Sequence, residues 1–322
     1  MRHFIKIIAG FMICICMLPL CAQATESLIP VGKVVGLELR DGSVAVAAFD
    51  EELGSACKSA GLQVGDMITK IDKTPIHTVQ DVRKALGRSD GTVTVDLLRN
   101  GKSVQVTFTP PITQDGPKLG VYLRQGVTGI GMVSWYEPET GKFATLGHGV
   151  NNRSGKLLQL SQGYAYEAKV VSVKKGKSGA PGQLIGAMEK LEPIGQLQKN
   201  VEQGVYGTSA TGWEGKEIPV AKIEEVRTGP AVIRSTVAGS EAQEYSVEIL
   251  KIYPKSKQTG RNLLIKITDR ELLNTTGGIV QGMSGSPLVQ DGKLIGAVTH
   301  VLVNDPTMGY GIFIENMLEA AG

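Results

Sequence analysis

A chain of 322 residues can bury two separate cores, and 42% hydrophobic with 20% charged residues is the balance of a globular protein. A net charge of only +3, with no run of basic residues, argues against nucleic acid as a partner. Forty-one glycines beside six Phe and two Trp imply many tight turns, hence short strands rather than long helices.

The N-terminus reads MRHFIKIIAGFMICICMLPLCAQATES. Arg2 and Lys6 precede an apolar run from Ile7 to Cys21, and Ala22-Gln23-Ala24 follows. A charged start, an apolar stretch and a small-x-small site mark residues 1–24 as an export signal, either removed or kept as a membrane anchor. Leu20, ahead of Cys21, is bulkier than lipoprotein processing prefers. Cys14, Cys16 and Cys21 all lie in this segment, which leaves Cys57 alone in the mature chain. No intramolecular disulfide or cysteine metal cluster is then available, and Cys57 reads as a small apolar filler.

A first unit spans residues 31–110. VGKVVGLELR and GSVAVAAF are strand-like, and VTVDLLRNGKSVQVTF alternates on either side of Asn100-Gly101, the mark of a tight hairpin. TVQDVRKAL predicts a short helix with Thr78 as N-cap and Val79, Val82, Ala85 and Leu86 on one face. The unit resembles a PDZ domain nearly end to end. SAGLQVGDMITKIDKTPI follows the AGL-x-x-GD-x-I-x-x-I pattern of bacterial members, with Gly61, Gly65 and Asp66 at the turn into the next strand. That resemblance implies a peptide groove between the second strand and the second helix. Its carboxylate-binding loop is expected at Val35-Gly36-Leu37-Glu38-Leu39, facing Val79 to Leu86. Gly36, Leu37, Leu39, Val79 and Val82 are then the contacts of a peptide terminus that extends the sheet. The same fold also exists with a groove that binds nothing. Glu38, if turned inward, would disfavour acidic ligands.

PPITQDGPK, from Pro110 to Lys118, reads as a linker, and a second domain covers residues 118–322. KVVSVKKG, PAVIRSTVAG, YSVEILKIY, NLLIKITD and SPLVQDGKLIGAVTHVLV predict short strands. Helical signals are few, chiefly LIGAMEKLE and the closing IENMLEAAG. So many strands suggest a β-barrel or sandwich architecture.

The stretch GGIVQGMSGSPLVQDGKLIGAV sets two serines in a glycine-rich bend between apolar runs. A serine nucleophile needs a base, a group that orients the base, and donors for the oxyanion. Of four histidines, His3 lies in the export signal and His77 in the first unit, which leaves His148 and His300. His148 in FATLGHGV has glycine on both sides, so backbone or substrate can approach the ring closely. His300 in GAVTHVLV falls on a strand face, as a structural residue or a wall of the site rather than a base. Between His148 and Ser284 the one aspartate is Asp269, fifteen positions before the serine, among several glutamates. It either orients the histidine or caps the turn RELLN.

The bend resembles the nucleophile loop of chymotrypsin-like serine peptidases, G-x-S-G-G-P. Gly282, Ser284, Gly285 and Pro287 match, and Ser286 replaces the second glycine. The resemblance makes Ser284 the nucleophile, the Gly282 and Ser284 amides the oxyanion hole, and His300 a wall of the substrate cleft. Six positions before the serine stands Gly278, so nothing favours a basic side chain in the specificity pocket.

An export signal, a PDZ unit, GIGMVSWYEPETGKFATLGHGV and GIVQGMSGSPLVQDGKLIGAVTHVLVNDPTMGYGIFIENML together resemble the stage IV sporulation protein B (SpoIVB) signalling peptidases. The resemblance runs from about residue 28 to the C-terminus. It implies a mainly β fold, a PDZ domain followed by a chymotrypsin-like double β-barrel, with Ser284, His148 and Asp269 as the catalytic set. It implies no metal or organic cofactor, and protein substrates: the chain itself in trans, and a membrane-anchored regulator. Cleavage of that regulator triggers intramembrane proteolysis that activates a late sigma factor, in the space between forespore and mother-cell membranes. Family members commonly carry an aspartate shortly after this histidine, where Asn151 and Asn152 stand here. Two rivals stand beside this reading. A quality-control peptidase of the HtrA type places PDZ domains after its protease, the reverse of this order. A PDZ adaptor with a decayed barrel is opposed by the retention of serine, histidine and aspartate together.

Overall fold

Strands make up most of the chain in the computed structural model, which describes residues 27–152, 155–255 and 260–322. The export-type segment, residues 1–24, lies outside the described residues. In chain order come β1 (Ser27–Pro30), β2 (Val34–Phe49), α1 (Ser55–Ser59), β3 (Met67–Ile71), β4 (Thr74–Pro75) and α2 (Val79–Leu86). β5 (Val93–Arg99) and β6 (Lys102–Phe108) follow, then a small hairpin of β7 (Ile112–Thr113) and β8 (Gly116–Pro117). Next are β9 (Val121–Tyr136), β10 (Lys142–Thr145), β11 (Gln162–Lys174), β12 (Gln183–Val201), β13 (Gly204–Thr208) and β14 (Ile218–Pro219). The last third holds β15 (Gly229–Ser235), β16 (Gln243–Ile252), β17 (Leu263–Ile267) and α3 (Arg270–Thr276). It ends with β18 (Pro287–Gln290), β19 (Lys293–Leu302), β20 (Asp305–Phe313) and α4 (Ile314–Ala321).

Local chemistry explains the small unit. Asn100 (φ +51) and Gly101 (φ +76) take the left-handed conformations of a two-residue hairpin turn between β5 and β6. Thr78 Oγ1 accepts from Asp81 N at 3.1 Å, and Asp81 Oδ2 accepts from Thr78 N at 2.9 Å, a capping box that starts α2. Cys57 packs in the core of this unit with Ile71, Val82, Leu86 and Leu97. The buried Asp66 carboxylate is neutralised by Arg99 at 2.7 Å, and the same Arg99 nitrogen reaches Gly61 O at 2.7 Å.

Two barrels follow from the strand order. β9, β10, β13, β12, β11 and β2 form a ring that closes where β2 pairs with β9, around Leu37, Leu39, Val133, Phe143, Leu197 and Val205. β15, β16, β17, β20, β19 and β18 close a second barrel around Ile233, Val247, Ile265, Leu288 and Phe313. Trp135 and Tyr206 of the first barrel, Leu294 and Ile312 of the second, and Met317 of α4 share one further cluster. Each such side chain, once buried, contributes roughly 1.5–3 kcal/mol. The fold is thus mainly β, with a PDZ unit ahead of a domain of β-barrels, as the sequence implies.

Three local expectations change. LIGAMEKLE lies within β12, where pairing with β11 (Val170 with Gly186, Lys169 with Ala187) overrides its helical composition. Pro110–Lys118 does not separate two independent bodies, because β2 and β9 each run through both. Val44–Phe49 pairs with Val121–Gln125 in the PDZ sheet, and Val34–Leu39 pairs with Val127–Met132 in the first barrel. Between the halves Gly126 (φ +69) alone faces Arg40–Ser43 across a bulge, and a Cβ there would lie 2.0 Å from Leu39 O. Val35–Leu39, expected as a carboxylate-binding loop, is instead barrel strand bonded to β9 on one side and β11 on the other.

Candidate active site

The bend at Gly282–Pro287 sends its two serines to different places. Gly285 (φ +91) admits the first barrel so closely that a Cβ would lie 2.2 Å from Met132 O and 2.5 Å from Leu146 N. Ser286 is fully buried, its Oγ 2.7 Å from Met283 O and 2.9 Å from Ser235 Oγ, and braces the bend from inside. Ser284 faces the cleft between the barrels. Its carbonyl accepts Met132 N at 2.9 Å, and Gly285 N donates to Val298 O at 2.8 Å, so both barrels pin the turn that holds Ser284.

His148 arrives from the first barrel, three residues after β10. Leu146 (φ +72) and Gly147 (φ +66) turn the chain through the left-handed region to aim it. Its Nδ1 lies 2.9 Å from Gly149 O; a carbonyl only accepts, so Nδ1 carries the proton and Nε2 keeps its lone pair. Burial pushes the imidazole below its usual pKa, opposed by the Gly149 carbonyl and by the charge of Glu202. A neutral imidazole with a bare Nε2 is the form a general base requires.

His148 and Ser284 line one cavity of about 260 Å³, whose apolar wall is Leu37, Leu39, Val127, Ile130, Leu146 and Val150. Leu37 and Leu39, expected in a PDZ groove, therefore face this cavity instead. No hydrogen bond joins Ser284 to His148, since Ser284 Oγ donates to Thr299 O at 2.8 Å. The hydroxyl must leave that carbonyl before its proton can pass to Nε2. Among the described residues, the Gly282 and Ser284 amides have no protein acceptor, as donors awaiting an oxyanion should.

His300 projects from β19 with its ring 5.2 Å from that of His148, at 37°. Burial, then the neighbouring His148 and Arg261, lower its pKa to about 4, and among the described residues its buried Nδ1 has no partner. Expected as a wall of the substrate cleft, it stands behind His148 and is not among the residues that line the cavity; neutral, it adds no positive charge beside His148. Asp269 is not brought to His148. Its Oδ1 accepts Leu272 N at 2.9 Å as the N-cap of α3, and Oδ2 accepts Ser246 N at 3.4 Å. β17 separates it from the histidines: Gly260, before that strand, accepts Thr299 Oγ1 at 2.7 Å, whereas Asp269 follows the strand's other end. Of the neutral pair after His148, Asn151 bridges to Leu157 and Asn152 Oδ1 accepts Lys156 N at 3.2 Å.

A second cavity, of about 930 Å³, lies between α2 and the start of β9. Val79 and Val82 line it as the sequence implies, but the facing strand is Val121–Leu123, preceded by Leu119 and Gly120. Gly36 is remote from it and abuts Met188 on β12. Among the described residues, the Leu119 and Gly120 amides have no protein acceptor, and no strand pairs with the outer edge of Val121–Gln125. Glu38 is held by Arg40 at 2.6 Å and by Tyr166 Oη at 3.0 Å, away from any groove. The signal for this loop was KLGVYL, a Leu-Gly turn before an alternating run, hidden by its place after the apparent linker.

Two family models match the chain. The family model described as SpoIVB peptidase S55 matches residues 115–318, and that of the PDZ domain matches residues 35–109. A protein named as a zinc metalloprotease from Mesorhizobium japonicum is 35% identical over 77 residues, 24% of this chain and 21% of its own length. The mitochondrial serine protease HTRA2 of Drosophila willistoni is 41% identical over 58 residues, 18% of this chain and 13% of its own. The chain thus spans less than a quarter of either relative. Among solved structures, the inactive form of the Rv3671c protease aligns at TM-score 0.34 and 15% identity, over 60% of this chain and 82% of that one. The active form from M. tuberculosis aligns at 0.33 and 16%, over 74% and 82%.

Proposed function

Because the chain belongs to the SpoIVB peptidase S55 family, we propose that it is a serine endopeptidase with Ser284 as nucleophile and His148 as base. One observation carries the reading: Ser284 and His148, from different barrels, face a single cavity beside two uncommitted amides. On substrate binding, the Ser284 hydroxyl turns from Thr299 O to His148 Nε2 and gives up its proton as Oγ attacks the scissile carbonyl. The carbonyl oxygen, now an oxyanion, is held by the Gly282 and Ser284 amides, the charge-stabilising contribution that typically dominates such reactions. His148 then protonates the leaving amine, and water releases the acyl group by the same steps in reverse.

The family further suggests an exported enzyme of sporulation signalling that cuts itself and a membrane-anchored regulator, the trigger for activation of a late sigma factor. The groove between α2 and Val121–Leu123 would receive peptide termini of such substrates by strand addition. A second reading, peptide docking without cleavage, draws on the bond from Ser284 to Thr299. Incubating the purified chain beside its Ser284→Ala form and sequencing new N-termini separates the two. Wild type should shorten itself while Ser284→Ala stays intact. Shortening of both at one rate would defeat the peptidase reading.

A further inference from the structure

The end of the β12–β13 hairpin lies against the loop that carries His148. Asn200, 8% exposed, makes three hydrogen bonds into that loop. Its Oδ1 accepts Val150 N at 2.8 Å, and its Nδ2 donates to Val150 O at 2.9 Å and Leu158 O at 2.8 Å. Two carbonyls and one N–H as partners allow only this orientation of the amide. The next residue, Val201, brings its carbonyl within 2.8 Å of where a Cβ on Gly149 would stand. Glu202 then forms the exposed turn of the hairpin.

The Val150 N–H and the Gly149 C=O belong to one planar peptide group. Asn200 Oδ1 therefore holds one side of the same peptide whose other side accepts the proton of His148 Nδ1. Hydrogen bonds in such a chain polarise one another, and fixing the plane fixes the direction of the carbonyl. We propose that this hairpin end orients His148: Asn200 positions the ring through the Gly149–Val150 peptide, and Glu202 supplies the negative charge that balances the imidazolium. This assignment rests on the peptidase reading, and gives the hairpin the part that the family resemblance implies for Asp269, which caps α3 here. Among the described residues, the charged and titratable groups around His148 are Glu202 on the hairpin and His300 on β19, with Arg261 next to His300. Glu202 is the carboxylate whose charge favours protonated His148, whereas the charge of Asp269 acts on Tyr245.

Imidazole nitrogen NMR of the full chain, carrying Ser284→Ala to prevent self-cleavage, tests this without requiring turnover. His148 should show the Nδ1–H tautomer, and Asn200→Ala should convert it to a mixture. In otherwise wild-type protein, Asn200→Ala should lower kcat about tenfold to a hundredfold with KM within about twofold, the cost of a misplaced base. Glu202→Gln should move the His148 midpoint, and the acid limb of kcat/KM, down by about 0.3–1 pH unit. Asp269→Asn should leave the midpoint in place. A pure Nδ1–H tautomer in folded Asn200→Ala overturns the proposal, as does a midpoint that follows Asp269→Asn and ignores Glu202→Gln. If Asn200→Ala does not fold, an unmoved midpoint in Glu202→Gln, altered only at an exposed turn, overturns it alone. Expected NMR behaviour without any Ser284-dependent cleavage would leave the hairpin assignment standing and remove the peptidase reading.

Discussion

His300 is set to stay neutral beside His148, which would become charged in the role proposed for it. A positive His300 would oppose each imidazolium formed on His148, 5.2 Å away, and burial holds its pKa near 4. In the unfolded chain the same side chain returns to 6.5, so between pH 6.5 and 4 the unfolded state binds more protons. Folding stability from this site is therefore full above 6.5 and falls as the pH drops towards 4. His148, also depressed, adds to the loss in the same direction. Melting temperatures of His300→Phe should vary less with pH across this window than those of wild type, and an equal slope would contradict the assignment. Asp269 bears on stability in another way, since its carboxylate satisfies Leu272 N at the start of α3. Asp269→Ala should cost about 1 kcal/mol in denaturant unfolding, the usual cost of a lost cap. Ser284 and His148 could be picked from the sequence because few histidines were available, glycines flank His148, and Ser284 sits in the glycine-rich bend Gly282-Met283-Ser284-Gly285. Asn200 and Glu202 could not, because a hairpin turn of this composition looks like any other until the fold presses it against Gly149.

Elements whose reasons are local were readable, and those whose reasons are tertiary were not. The turn at Asn100-Gly101 and the cap at Thr78 act within a few residues, and both stand where the sequence puts them. Val35–Leu39 had no such local determinant: its apolar run suits an edge loop or a doubly paired strand equally, and only the arrival of β11 decides. β12 is the same case, a segment with helical composition drawn into strand by its partner. The bend at Gly282–Pro287 combines both kinds of cause. Its glycines announce a tight turn, but the need at Gly285 is set by Met132 O, 2.2 Å from the missing Cβ. Gly285→Ala combines that overlap with a φ of +91°, so a loss of more than about 2 kcal/mol is expected, with peptidase activity lost alongside. A chemical denaturation midpoint within error of wild type would show that the barrels can part at this point without cost.

At the scale of the whole molecule, the groove beside α2 and the bend that holds Ser284 are both tied to β9. Val121–Leu123 borders the groove, and on the same β9 Met132 N holds the Ser284 carbonyl at 2.9 Å. β2 runs alongside through both units, so one half of the β2–β9 pair lies in the PDZ sheet, the other half closes the first barrel, and continuous strands join the two. Two domains on a flexible connection would melt separately and part when the connection is cut. Two units built on common strands should do neither. A protease cut within Pro110–Lys118 leaves β2 intact on the N-terminal fragment and β9 intact on the C-terminal one, still paired from Val34 to Phe49. The nicked protein should therefore elute from gel filtration as a single species of unchanged size, although denaturing electrophoresis shows two fragments. Intact protein should likewise unfold in one calorimetric transition rather than two. Release of a free N-terminal fragment, or a separate low-temperature transition, would mean that the pairing of β2 with β9 is too weak to join groove and catalytic cleft into one mechanical unit.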